Sequence, residues 1–220
     1  DGALVFGNRL LLVNSQGLLT WEATIQKTKK AVQLIDGSFV VSDSSSNFYR
    51  INENGGQLWK QTFSGTIGFA ATADGGFIVT GTTGTKKIDS NGQIQWSNAT
   101  LADNIRQTQD GGYMLWGTSS VLKLNSTGQQ SWSYSQSGIS SLVVTNDNGC
   151  VLTSSFAMKK ISSAGAVEWA QTRAQNIVVY PADKDNILVL RTTSAPLNVL
   201  SQVFSEKINL KTGSGWVKMV

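Results

Sequence analysis

Histidine is absent from the 220 residues, and cysteine occurs once, at Cys150. The first absence removes every histidine-based catalytic triad, histidine metal ligands and any imidazole pH switch. The second forbids a disulfide within the chain, so cysteine usage leaves the redox compartment open. Proline is nearly missing as well, with 2 residues against 22 glycines, a balance that suits a turn-rich all-β chain rather than a helical one. Charged residues make up only 15% and leave a net charge of +4. No Lys/Arg block is long enough for a nucleic-acid arm, so nucleic acid is not an expected partner. No apolar run reaches the roughly 18 residues of a membrane-spanning helix. Neither a GxxxxGK[ST] loop nor an HExxH pair occurs. The 40% of hydrophobic residues suffices for one well-buried domain, expected over 1–220.

What the chain has in abundance is itself. DGGFIVTGTTGTKKIDSNGQIQW, Asp74 to Trp96, returns as DGGYMLWGTSSVLKLNSTGQQSW from Asp110 to Trp132 and as DNGCVLTSSFAMKKISSAGAVEW from Asp147 to Trp169. Earlier it reads DGSFVVSDSSSNFYRINENGGQLW, Asp36 to Trp59. Trp21, Trp59, Trp96, Trp132 and Trp169 stand 38, 37, 36 and 37 residues apart. Eight residues before each is an aliphatic: Val13, Ile51, Ile88, Leu124 or Ile161. A turn former follows it (Asn14, Asn52, Asp89, Asn125 or Ser162), and a glycine stands four before the tryptophan (Gly17, Gly55, Gly92, Gly128 or Gly165). That is the chemistry of strand, tight turn, strand. Upstream, Asp-Gly between apolar runs marks a second hairpin. Each period therefore reads as four short antiparallel strands of about 4–7 residues. A period of about 37 residues repeated about six times predicts an all-β, six-bladed β-propeller, in which neighbouring blades cover one another's faces, rather than an open solenoid.

The ends leave two readings. DGALVFG matches the Asp-Gly turn and its following strand, so the first repeat lacks its first strand. At the other end, EKINLKTGSGW fits the hairpin that closes on Trp216, 47 residues after Trp169. Alternatively WVKMV, Trp216 to Val220, supplies the missing strand of blade one, with LNVL and the segment after Gln202 as outer strands of blade six. Both readings give six blades. An opening at Asp1 rather than Met fits a mature product after signal cleavage or a boundary within a longer protein, and a secreted or cell-surface location is expected.

The hairpin K-[IL]-[DN]-x-x-G-x-x-W, preceded by D-G-G-[FY]-[IV]-[VL], resembles the repeats of the pyrroloquinoline-quinone-like propeller superfamily and the related Asp-Gly-Gly-Tyr repeats of secreted bacterial proteins. The resemblance covers nearly the whole chain and implies the propeller fold. In the quinoprotein dehydrogenases it would also imply eight blades, a vicinal disulfide and a calcium site. A single cysteine cannot make that disulfide, and the length suits six blades, so no catalytic residue carries over.

Each repeated residue type has two readings. The ruler tryptophans either pack between blades or offer a platform for a sugar ring. Aromatics outside the ruler are not demanded by the scaffold; of these, Trp116, Tyr49, Tyr134 and Tyr180 are the candidate ligand-binding residues, and Trp216 also stands outside it. Nine residues before the tryptophan stands a cation: Arg50, Lys87, Lys123, Lys160 and, in the first C-terminal reading, Lys207, with Leu12 in blade one. These either grip an anionic glycan or phosphate, or lay their aliphatic stems over a strand face. The turn aspartates Asp1, Asp36, Asp74, Asp110 and Asp147 are spread one per blade, which suits turn chemistry better than converging calcium ligands. Cys150, in the position of Phe39, Phe77 and Tyr113, reads as a small buried hydrophobe. No metal site, cofactor or catalytic residue is expected. The function expected is non-catalytic: a carbohydrate-binding, lectin-like module with several shallow repeated sites, its partners glycans or glycoproteins. The alternative is a protein–protein interaction scaffold. The repeats disagree most at Ser44 to Asn47, at Trp116 and from Thr192 to Phe204.

Overall fold

A computed structural model describes residues 2–6, 9–154, 157–172, 177–183, 186–192, 203–213 and 215–219. Among these residues every regular element is a strand, and no helix is long and apolar enough to cross a membrane. The chain divides into two compact units, Asp1–Gln107 and Thr108–Val220.

The first unit opens with a three-stranded sheet of β1 (Gly2–Phe6), β2 (Leu10–Asn14) and β3 (Leu19–Ala23). Two four-stranded sheets follow. One holds β4 (Thr28–Gln33), β5 (Phe39–Asp43), β6 (Asn47–Ile51) and β7 (Gln57–Thr62); the other holds β8 (Thr66–Ala71), β9 (Phe77–Gly81), β10 (Gly84–Ile88) and β11 (Ile94–Asn98). The unit ends with β12 (Asn104–Gln107). The second unit begins with β13 (Tyr113–Trp116), β14 (Ser120–Leu124) and β15 (Gln130–Ser135). Its two four-stranded sheets are β16 (Ser141–Val144), β17 (Cys150–Thr153), β18 (Ala157–Ile161), β19 (Val167–Thr172), then β20 (Ile177–Asp183), β21 (Asn186–Thr192), β22 (Val203–Asn209), β23 (Gly215–Met219). Within each sheet the strands pair antiparallel in chain order.

The turn residues set this pattern. In the β6–β7 hairpin the Asn52 side-chain oxygen accepts the N–H groups of Asn54 and Gly56 at 3.0 and 2.8 Å, and Gly55 takes φ +84°. A register shift follows Arg50, one residue from the turn, and recurs after Leu12, Lys87, Lys123 and Lys160. In each of these hairpins the cation, or Leu12, stands directly opposite the ruler tryptophan.

The ends resolve in the same terms. The first sheet lacks a first strand, as expected. β23 pairs with β22, and Trp216 stands opposite Lys207 as Trp96 stands opposite Lys87. This corrects the alternative in which Trp216 to Val220 belongs to blade one: the Lys-Ile-Asn turn approach fixes the hairpin register. From Val203 the chain is the third strand of its sheet, not an outer one, and LNVL lies outside the described residues. The opening match is also shifted by one residue. A Cβ on Gly2 would lie 2.4 Å from the Val13 carbonyl oxygen, as one on Gly76 would lie 2.3 Å from that of Ile88. Gly2 therefore holds the place of the second glycine of the turn, not the first.

Second strands form the centre of the core: β5, β9 and β17 are buried along their whole length. The ruler tryptophans join successive sheets within each unit. Trp59 packs on Gly92 and donates from Nε1 to the Ser90 carbonyl at 2.9 Å; Trp132 packs on Gly165 and donates to Ser163 at 2.7 Å; Trp169 packs on Gly213 and donates to Leu210 at 2.8 Å. Trp21 packs on Gly55 in the same way, but among the described residues its buried Nε1 meets no acceptor.

Candidate functional site

Each complete meander has two ends of different character. Strands one and two, and three and four, are joined by the repeated turns at one end. Strands two and three are joined at the other end, where the sequences differ.

At the turn end the aspartate of the Asp-Gly turn meets the cation on the third strand. Lys87 lies 2.8 Å from Asp74, Lys123 2.9 Å from Asp110, Lys160 2.7 Å from Asp147, and Arg50 2.5 Å from Asp36. The lysine side chains are 3%, 4% and 1% exposed, whereas their aspartates stay about half exposed. Each carboxylate also accepts a turn N–H and a hydroxyl: Asp74 takes Gly76 N–H at 3.1 Å and the Thr72 hydroxyl at 2.6 Å, and Asp147 takes Gly149 N–H at 3.1 Å and the Thr145 hydroxyl at 2.5 Å. Burial alone would push these carboxyls up. Hydrogen bonds from the lysine, the threonine and the turn N–H outweigh it and hold Asp74, Asp110 and Asp147 below the usual carboxylate range. Asp36 is held low chiefly by the Ser38 hydroxyl. Arg50 reaches further than the lysines and also donates to the Ser90 carbonyl of the next sheet. An external anion would have to displace these carboxylates to reach the four cations.

The loop end carries Trp116, Tyr49 and Tyr134, whereas Tyr180 lies in the row of Leu188 and Lys207 at the turn end. In the first unit Tyr49 donates its hydroxyl to Asp43 at 3.0 Å, and the Lys60 ammonium lies 5.3 Å from the ring centroid. Asp43 also accepts the N–H groups of Ser45 and Asn47 and the Asn47 side chain, and this pins the loop from Ser44 to Asn47. The Tyr49 hydroxyl is pushed up by burial and by the neighbouring Asp43 charge. In the second unit Trp116 and Tyr134 stand on either side of Val121 in the same cross-strand row, and both pack on the core as partly buried groups. Lys159 donates to the Tyr134 hydroxyl at 3.0 Å and to Gln136 Oε1 at 2.7 Å, its ammonium 5.6 Å from the Tyr134 ring centroid. Tyr180 lies on β20 opposite Leu188 with its side chain exposed.

The structure thus brings Trp116 and Tyr134 together, gives Tyr49 a separate polar cluster, and sets Arg50, Lys87, Lys123 and Lys160 at the opposite end of their sheets in internal ion pairs. Lys159, Gln136, Lys60 and Asp43 were not singled out from sequence. Their signal was present only as polar residues beside off-ruler aromatics. The ion pairs did carry a signal, since aspartate and lysine are 13 residues apart in three repeats. Most of Thr192 to Phe204 lies outside the described residues. Among the described residues, no group of three or more acidic or cysteine side chains is gathered to hold a metal ion. Cys150 is buried, and burial pushes its thiol up to about 12.

No protein-family model and no curated protein sequence matches the chain. Solved structures do. BamB from Moraxella catarrhalis superposes with a TM-score of 0.70 at 12% identity, covering 100% of this chain and 69% of that one. AztD from Citrobacter koseri gives 0.70 at 10% identity, covering 97% and 67%. A protein of unknown function from Bacteroides caccae gives 0.59 at 15% identity, covering 99% and 93%. At these identities the likeness is one of fold, and the fold is β-propeller-like.

Proposed function

We propose that the chain is a non-catalytic, six-bladed propeller of the pyrroloquinoline-quinone-like superfamily, secreted or at the cell surface, that binds carbohydrate through the loop ends of its sheets. The observation that carries the reading is the cluster of Trp116, Tyr134, Gln136 and Lys159. Trp116 and Tyr134 are each partly buried against the core, and a hydrogen-bonding amide and ammonium stand beside Tyr134. Aromatic surface next to polar groups is what a sugar ring requires, with its apolar face and equatorial hydroxyls. The Tyr49 cluster offers the same chemistry in the first unit. Repetition supplies strength, because several weak sites on one scaffold gain by effective concentration on a clustered glycan.

A glycan array probed with the intact chain tests the reading. Binding that free sugar competes away, and that Trp116→Ala removes, supports it; silence across the array defeats it. A second reading, a protein-interaction scaffold, draws on the exposed apolar side chains of the fourth strands: Leu19, Leu58, Ile94 and Val167. Its mark would be a protein partner that free sugar does not displace and that Leu58→Glu and Ile94→Glu release.

A further inference from the structure

We propose that the first strands of the first unit hold an oxyanion site, in which Lys29, Lys30 and Arg106 take a sulfate, phosphate or carboxylate group. The repeat's own cations set the contrast. Arg50, Lys87, Lys123 and Lys160 each rest on an aspartate supplied by their own sheet. Lys30 as a whole is exposed, but its ammonium turns inward: in a part-buried bond it donates to the Phe69 carbonyl at 2.6 Å, and it lies 4.8 Å from the Phe69 ring centroid. Among the described residues no carboxylate lies within ion-pair distance of Lys29, Lys30 or Arg106. A carbonyl and a ring face carry only partial negative charge, so the cation is held without being neutralised. Burial and the neighbouring Arg106 charge hold the Lys30 ammonium below the usual lysine range.

Two bulges build the place. The β4–β5 register shifts between Thr28 and Lys30 and the β8–β9 register between Thr66 and Gly68, so Lys29 and Ile67 are the extra residues. Successive side chains of a regular strand point to opposite faces, but here Lys29 and Lys30 line one cleft, with Ser46, Thr66 and Ile67. Asp43 also borders it, but its carboxylate is already taken by the N–H groups of Ser45 and Asn47, the Asn47 amide and the Tyr49 hydroxyl. β12 packs closely on β8, since a Cβ on Gly68 would lie 2.4 Å from the Asp103 carbonyl oxygen. This packing brings the exposed Arg106 near enough for its charge to act on Lys30. An oxyanion here would accept charge-assisted hydrogen bonds and relieve the repulsion between the two cations. The cleft holds about 220 Å³, below the roughly 300–1,000 Å³ of small-molecule pockets, which suits a single anionic group rather than a whole ligand. The site does not depend on the carbohydrate reading, since inorganic sulfate alone would fill it.

The test is an amide NMR titration of the intact chain with sodium sulfate, set against sodium chloride at matched ionic strength. The expected result is saturable, millimolar binding under sulfate alone, with shifts at Lys29, Lys30, Thr66 and Ile67. Lys30→Gln should weaken it about tenfold with the circular dichroism spectrum unchanged. Arg106→Gln, an independent change at an exposed position, should weaken it in the same direction. A sulfated disaccharide and its desulfated counterpart separate the sources of the anion. Tighter binding of the sulfated sugar than of inorganic sulfate supports the site with the anion borne on a glycan; equal or weaker binding supports it with the free ion. Shifts that chloride reproduces, no saturation up to about 100 mM sulfate, equal binding of the two sugars at these amides, or undiminished binding by Lys30→Gln would each overturn the proposal.

Discussion

Lys160 has one of the largest fully buried side chains in the protein, and its ammonium rests on an aspartate that water still reaches. Removing the carboxylate leaves a buried cation with only the Ile161 carbonyl and the more distant Glu168. Asp147→Ala should therefore destabilise by about 1–3 kcal/mol in urea unfolding, less than for a fully buried pair because Asp147 is half exposed. The double variant Asp147→Ala with Lys160→Met should recover most of that loss, since it leaves no unpaired charge. The aspartate carboxyls are held low in the folded protein. Their stabilisation is thus present above the ordinary carboxylate value of about 3.9 and is lost as pH falls through the lower folded value. Unfolding free energy should decline below about pH 4, and Asp147→Asn should flatten that acid limb. At Cys150, a thiol reagent should label the protein only as it unfolds, at the rate of global unfolding. The aspartate and lysine columns were both visible in the sequence. Their 13-residue spacing carried a signal for the pairing, but the contact itself depends on the register between second and third strands, which spacing alone does not give.

At the scale of the element, two glycines with nearly the same backbone separate conformational strain from packing. Gly37 has φ +83° with open space where a Cβ would point; Gly165 has φ +85°, and its Cβ would lie 2.9 Å from the Trp132 ring. Gly37→Ala should cost about 1 kcal/mol by backbone strain alone. Gly165→Ala should cost about 1–3 kcal/mol more, because the ring is fixed by its bond to Ser163. The tryptophans differ in a parallel way. Trp132→Phe loses a hydrogen bond and leaves the Ser163 carbonyl without that donor, whereas Trp21→Phe removes a buried donor that meets no acceptor among the described residues. Equilibrium unfolding should show Trp21→Phe as the milder change by about 1 kcal/mol. Strands and hairpins were legible because turn chemistry repeats at fixed offsets from tryptophan, whereas the C-terminal register stood between two readings that the β22–β23 pairing decides. The one-residue shift at Gly2 was not: with no strand before it, the opening Asp-Gly had nothing upstream to fix its phase.

For the whole molecule, the functional proposal predicts a dependence on presentation. A glycan displayed densely on a surface should bind about 100-fold more tightly than the same free sugar, and the gain should fall as display is diluted. Surface plasmon resonance at graded densities measures this, and equal affinity for free and dense glycan would argue for a single independent site. The all-β class was readable from the repeat because successive antiparallel sheets reuse the same turns. The candidate site was less so, since it is built where the repeats differ and its residues stand at different offsets in the two units. One feature of the strand order reaches beyond stability. Each strand within a sheet pairs with its neighbour in the chain, and Asp36, Asp74, Asp110 and Asp147 each find their cation no more than 14 residues on. A duplicated or deleted stretch of one period therefore inserts or removes a self-contained hairpin pair without rethreading any other strand. Such a chain can change length in steps of one repeat by recombination between like segments, with the phase of the cut immaterial. Differences then accumulate in the loops between second and third strands, where the repeated turns and ion pairs do not recur.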